Sequence, residues 1–150
     1  MAVTLSAFDN VFLKASWNWL QDEELRKLVD APVITKEQQQ NWFKTLPQRT
    51  DYCIWGVLYD GKPVGVTGIK NIKSNTGEYW GYIGDKNYWG KGVGSVMMQC
   101  AIAEAHSLQL KQLTLKVLRT NQRAIQLYQK NGFVQTQADE THLLMQKTLS

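Results

Sequence analysis

Residues 87–98 read NYWGKGVGSVMM, with glycines at 90, 92 and 94, Lys91 between the first two, and an apolar run from Val96. Bare backbone ahead of a helix-like run suits a phosphate group. Without side chains in the way, N–H groups can close on the anion, and a helix start adds unsatisfied donors and partial positive charge. Spacing separates the loops that work in this way. A Walker A loop needs glycine at 85 and Ser or Thr at 92, where this chain has Asp85 and Gly92. A dinucleotide fingerprint begun at Gly90 or Gly92 meets Ser95 or Met97 at its third glycine position. Both fail. A flexible turn that binds nothing remains as the plain reading of these residues.

A second pattern, NQRAIQLYQKNGF at 121–133, follows one strand-like run later. Together the two resemble the GNAT superfamily of N-acetyltransferases. WGKGVG resembles that family's pyrophosphate loop, Gln/Arg-x-x-Gly-x-Gly/Ala, with Gly92 and Gly94 at the fixed positions and Trp89 where the family has Gln or Arg. The later run resembles its Asn-x-x-Ala-x-x-Leu-Tyr-x-x-x-Gly-Phe helix, with every named residue present. The likeness is good over 52–147 and loose over 1–50. It implies an α+β (mixed α/β) fold: a mixed, mostly antiparallel sheet flanked by helices, its central strands splayed. It also implies acetyl-CoA as cosubstrate and an amine as acceptor.

The resemblance assigns roles to residues. The pantetheine arm would enter between strand 78–84 and strand 113–118, against backbone groups of Ile83 and Gly84. The pyrophosphate would lie on Trp89, Gly90, Lys91, Gly92, Val93, Gly94 and Ser95. Asn121 matches a CoA-contacting asparagine and also reads as a helix N-cap. Tyr128 matches the family's general acid. A phenol with pKa near 10 is a suitable donor to a departing thiolate, and a core tyrosine is the alternative. For the base, Glu78 at the start of the strand leading to the loop is preferred, acting through water, against a solvated strand-end carboxylate. Asp85 and His142 are further candidates, and direct loss of the proton to solvent is another. Some ribosomal-protein acetyltransferases carry glutamate five residues before the asparagine; here that residue is Lys116.

The elements that must position these groups can be read from the pattern. FLKASWNWL (12–20) and DEELRKLV (22–29) read as short helices, and a third begins at Thr35 with a Thr35/Gln38 capping box and ends before Pro47. Trp42, Phe43 and Leu46 form a core-facing stripe on it. From residue 52 the texture turns to strand. YCIWGVLY and KPVGVTGIKNI flank Asp60-Gly61, a hairpin signal, and EYWGYI (78–83) is the next strand. A helix over about 92–106, strand 113–118, helix 122–130 and strands 133–137 and 142–147 complete the order. The strand–helix–strand passage at 78–118 predicts a crossover within a mixed sheet.

Composition bounds the rest. A chain of 150 residues, 43% hydrophobic with six tryptophans, fits one domain spanning 1–150 with an ordinary core. The N-terminus lacks a secretory pattern and no apolar run reaches a membrane span, so a soluble, cytoplasmic protein is expected, its Cys53 and Cys100 plain buried thiols. No Cys/His/carboxylate cluster has zinc spacing, so no metal is expected. The net charge of +4 is scattered over 17 basic residues, which argues against a nucleic-acid or membrane partner and for a small anionic ligand. The acceptor half, WNWLQDEELRKLVDAP with ITKEQQQNWFKTL, resembles enzymes acting on nucleotide-linked amino sugars, as in pseudaminic acid synthesis, and those acting on ribosomal-protein N-termini. The first is preferred, with Trp17, Trp19, Trp55 and Trp80 available to stack on a sugar or base, and Arg26 and Lys27 to meet a diphosphate. Each also reads as core packing or a solvated face. A non-catalytic acyl-CoA sensor is the remaining alternative, and a homodimer is compatible with the family.

Overall fold

The computed structural model describes residues 2–149. Its strands are β1 (Val3–Ala7), β2 (Cys53–Tyr59), β3 (Lys62–Lys73), β4 (Thr76–Ile83), β5 (Gln112–Leu118), β6 (Val134–Ala138) and β7 (His142–Thr148). They form one seven-stranded sheet in the order β1-β2-β3-β4-β5-β7-β6. The helices are α1 (Asn10–Trp19), α2 (Glu23–Val29), α3 (Lys36–Thr45), α4 (Val93–Ser107) and α5 (Gln122–Lys130). Only β4 and β5 run parallel, because α4 carries the chain across between them; the other neighbours are antiparallel.

Local chemistry sets the ends of these elements. Asp60 and Gly61 both hold positive φ, 48° and 84°, as a tight hairpin turn requires. Thr35 and Gln38 exchange both bonds of the capping box. Asp9 and Asp22 cap α1 and α2 by accepting from backbone N–H groups, which moves the two starts to 10 and 23. The stripe expected on α3 is shallower than its spacing suggests. Its buried residue is Gln39, which donates to the Leu13 carbonyl at 3.1 Å, while Trp42 and Phe43 are half-buried. Cys53 and Cys100 are likewise half-buried rather than enclosed. β1 is an addition to the helical reading of the first third, paired to β2 from Val3↔Tyr59 to Ala7↔Trp55.

One feature of the sheet creates the site. β4 pairs with β5 only from Thr76↔Gln112 to Glu78↔Thr114. Beyond that point β4 stays with β3 as far as Ile83, and β5 stays with β7 as far as Leu118. Two half-sheets therefore diverge from a vertex at Glu78. The main core, with Ile69, Tyr79, Met98, Leu113, Leu115, Phe133 and Met145, fills the side covered by α4 and α5.

Candidate active site

The divergence opens a cleft of about 1330 Å³. That exceeds the roughly 300–1,000 Å³ of an ordinary small-molecule pocket, and leaves room for two ligands meeting at the vertex. At one end lies the glycine loop. Gly90 and Gly92 hold φ of 74° and 80°, and nothing stands within 4 Å of where a Cβ on either would lie. Gly92 caps the fifteen-residue α4 without any side-chain bond, and the first turn carries no acid. The opening N–H groups of α4 are thus free of capping partners and carry the helix's positive end. This is a cradle that fits a diphosphate.

The gap edge of β4 fits an amide-bearing chain. The Gly84 N–H donates to the Val64 carbonyl at 2.8 Å, which fixes the alternation of an antiparallel pair. By that alternation Gly81 and Ile83 turn their backbone groups away from β3, toward the gap that β5 leaves open. Unpaired strand edges of this kind accept an extended ligand as an extra strand. One group is already taken, since the Trp89 indole N–H donates to the Ile83 carbonyl at 2.8 Å. The Trp89 ring also lies 5.7 Å from Lys86 Nζ and 6.0 Å from Arg123 Cζ. So the tryptophan at the family's Gln/Arg position closes one edge of the loop and gathers cations beside it.

Tyr128 lines the cleft from α5, its ring against Tyr79 and Phe133 at centroid distances of 6.2 and 6.1 Å. Its hydroxyl makes no hydrogen bond among the described residues, and burial pushes its pKa up to about 12. Tyr79 is more deeply enclosed, and burial raises its phenol further.

Strand pairing also defines the opposite face of the sheet. Residues directly paired share a face, so Lys70, Glu78 and Thr114 lie together, with Trp80 and Tyr82 on the same face of β4 and Lys116 on the same face of β5. The Glu78 carboxylate is 3.7 Å from Lys70 Nζ and accepts from the Asn71 amide at 3.2 Å. Above them Phe8, Trp42, Tyr52 and Trp80 form a chain of ring contacts, at 5.7, 6.4 and 6.2 Å in turn. All four line the cleft.

Helix α2 roofs this end, with Leu25, Leu28 and Val29 in the lining. Both its ends are tied down. Lys86 Nζ lies 2.8 Å from Asp22 and 2.7 Å from Glu24, and His142 Nε2 lies 2.7 Å from Asp30. Asn121 adds a third tie: its oxygen accepts from the Ala124 N–H while its amide donates to the Leu28 carbonyl at 3.2 Å. Asn121 therefore caps α5 and anchors α2 at once. Asn121→Ala is expected to lower stability by about 1 kcal/mol through the lost cap, a fall of roughly 2–4 °C in Tm at this chain length. Thermal melts followed by circular dichroism check this.

Of the residues singled out by sequence, the cleft collects Glu78, Ile83, Trp89, Gly90, Gly92, Val93, Gly94, Ser95, Asn121, Tyr128 and His142. Gly84 and Lys91 fall outside its lining. The Gly84 N–H serves β3, and the ring of Trp19 fills the space beside its Cα; Lys91 Nζ lies over Tyr88 at 5.5 Å. Asp85 caps the turn after β4 and pairs with Lys62. Of the four tryptophans offered for stacking, Trp80 alone lines the cleft; Trp55 packs against the main core. Arg26 donates to the Leu20 carbonyl and Lys27 pairs with Glu23, both away from the cleft. Trp42, Tyr52, Lys70 and Asn71 belong to the site and were not read from sequence. Register and the packing of α3 bring them there, and neither has a local signature.

The acetyltransferase (GNAT) family model matches residues 14–133. Acetyltransferase PseH of Campylobacter jejuni is 27% identical over 118 residues, which span 78% of this chain and 73% of that protein. The crystal structure of Campylobacter jejuni PseH with acetyl coenzyme A matches with a TM-score of 0.80 at 23% identity, over 99% of this chain and 100% of the other. Spermidine N-acetyltransferase of Vibrio cholerae, solved with CoA and spermine, matches with a TM-score of 0.89 at 17% identity, over 97% and 95%. These likenesses establish the expected α+β sheet with flanking helices.

Proposed function

The chain belongs to the acetyltransferase (GNAT) family and is an acetyl-CoA-dependent N-acetyltransferase; we propose that its acceptor is a primary amine on a nucleotide-linked amino sugar. Acetyl-CoA supplies the activated acetyl group. The N–H groups of the 90–95 loop bind its pyrophosphate, and the gap edge of β4 aligns the arm so that the thioester arrives near the vertex. The acceptor nitrogen attacks the carbonyl carbon and the C–S bond breaks. Tyr128 donates its proton to the departing sulfur, and Glu78, through water, takes the proton lost by the amine.

The observation that carries the acceptor assignment is the aromatic chain Trp42–Tyr52–Trp80 beside two lysines. Flat rings receive a base or a sugar face, and lysines receive phosphate. The likeness to PseH supports the same reading. We read residues 1–150 as one domain acting on a small amine in the cytoplasm; no helix among the described residues is long and apolar enough to cross a membrane. Thiol release from acetyl-CoA across a panel of acceptors tests the proposal. A nucleotide-linked amino sugar is expected to exceed spermidine, an aminoglycoside and a short peptide by roughly 10²-fold in kcat/KM, as a site with matched polar contacts allows. Turnover confined to the peptide would overturn it.

A further inference from the structure

We propose that Lys116, beside the Lys70–Glu78 pair, selects acceptors by charge, binding the phosphate of an anionic acceptor and excluding polycationic amines. The inference rests on the reading that this end of the cleft takes the acceptor. Lys116 stands on β5, on the sheet face that carries Lys70 and Glu78, two residues beyond the last β4–β5 pair. It lines the cleft. Among the described residues it has neither an ion pair nor a hydrogen bond, and nor has Lys130 at the end of α5, whereas the groups on the strands around the vertex are engaged. Lys70 and Asn71 hold Glu78, and His142 meets Asp30.

The balance of charge follows. The cleft is lined by Lys70, Lys116, Arg123 and Lys130 against two carboxylates, Asp30 and Glu78. Each carboxylate already has a basic partner, so Lys116 adds uncompensated positive charge at the vertex. A spermidine-like acceptor would bring further ammonium groups against it, and like charges placed together in a partly desolvated cleft reject a ligand. A diphosphate joined to the acceptor would give Lys116 its missing partner.

Isothermal titration of uridine diphosphate and of spermidine tests this, with CoA saturating so that the glycine loop is filled. Lys116 is exposed, so substitutions there leave the fold in place. Uridine diphosphate is expected to bind the native protein and Lys116→Arg within about threefold, and Lys116→Glu about tenfold more weakly, while spermidine gains about tenfold on Lys116→Glu. Added salt should weaken the diphosphate binding. Absence of diphosphate binding to the native protein overturns the proposal, as does binding of both ligands indifferent to Lys116→Glu. The two readings fail separately. Diphosphate binding that needs Lys116, without turnover of any amino sugar, refutes the acceptor assignment alone. Amino-sugar turnover with binding indifferent to Lys116 refutes charge selection alone.

Discussion

Tyr128→Phe is expected to slow thiol release from acetyl-CoA by roughly 10²–10⁴-fold, the span associated with a positioned general acid, while acetyl-CoA still binds. The substitution removes one hydroxyl that has no partner among the described residues, and it keeps the ring that packs on Tyr79 and Phe133. The fold should therefore be unaffected. Burial pushes the phenol up to about 12, so its proton is present across any practical assay range. A proton held so firmly would be a poor donor to a thiolate in water. In the gap, however, the expelled sulfur is desolvated too, which raises its own pKa toward that of the phenol. The pH profile follows with a definite sign. As pH rises, the acceptor amine loses its proton and the rate climbs. Because the acid has its pKa near 12, no falling limb from Tyr128 should appear below about pH 10. A falling limb near pH 8 that vanished in Tyr128→Phe would refute the assignment of that pKa. An unchanged rate in the variant would remove Tyr128 from the chemistry altogether.

Much of this arrangement is legible in the sequence, because it is local. The Thr35/Gln38 box, the Asp60-Gly61 turn and the Asn121 cap each satisfy backbone groups within a few residues, so short patterns reveal them. The glycine loop belongs to the same class. Its backbone is left-handed at Gly90 and Gly92, and glycine is the residue that adopts that conformation freely. What escaped depends on distant partners. β1 is a five-residue edge strand held by β2, about fifty positions away, and its short run has no turn before α1 to mark it as a strand.

The aromatic side of the cleft is less legible for the same reason. Trp19, Trp55 and Trp80 look alike in sequence, yet Trp19 lies against Gly84, Trp55 packs on the core and Trp80 faces the cleft. Strand parity and the placement of α1 decide between them. Lys70 reaches Glu78 only because β3 and β4 pair in that register. A shift by one residue would turn Glu78 to the opposite face. Asn121 shows the intermediate case. Its capping role is local and was readable, whereas its bond to Leu28 spans 93 residues and was not.

The glycine loop gives the second large expected effect: Gly92→Asp should weaken acetyl-CoA binding by roughly 10²-fold while lowering the melting temperature by only a few degrees. The two halves of that expectation separate ligand binding from folding. Gly92 holds φ of 80°, a region that Asp tolerates better than most side chains. No atom stands within 4 Å of the new Cβ, so nothing needs to move. An acidic group at the start of α4 also complements the helix dipole. Folding therefore loses only the strain of a side chain at positive φ, about 1 kcal/mol. A pyrophosphate in the loop would, however, meet a carboxylate in place of open backbone. At about 5 Å and an effective dielectric near 20, the repulsion between two unit charges is on the order of 3 kcal/mol, or about 10²-fold in affinity. Titration calorimetry of acetyl-CoA, run beside thermal melts, reads both quantities. Acetyl-CoA binding unchanged in the variant would mean that these glycines serve only to turn the chain. A collapse in stability would mean that the loop is held more tightly than its open surroundings allow. Lost binding on an intact fold would assign the diphosphate to the loop, and the cleft from Gly92 to the vertex at Glu78 would then hold the rest of the cosubstrate.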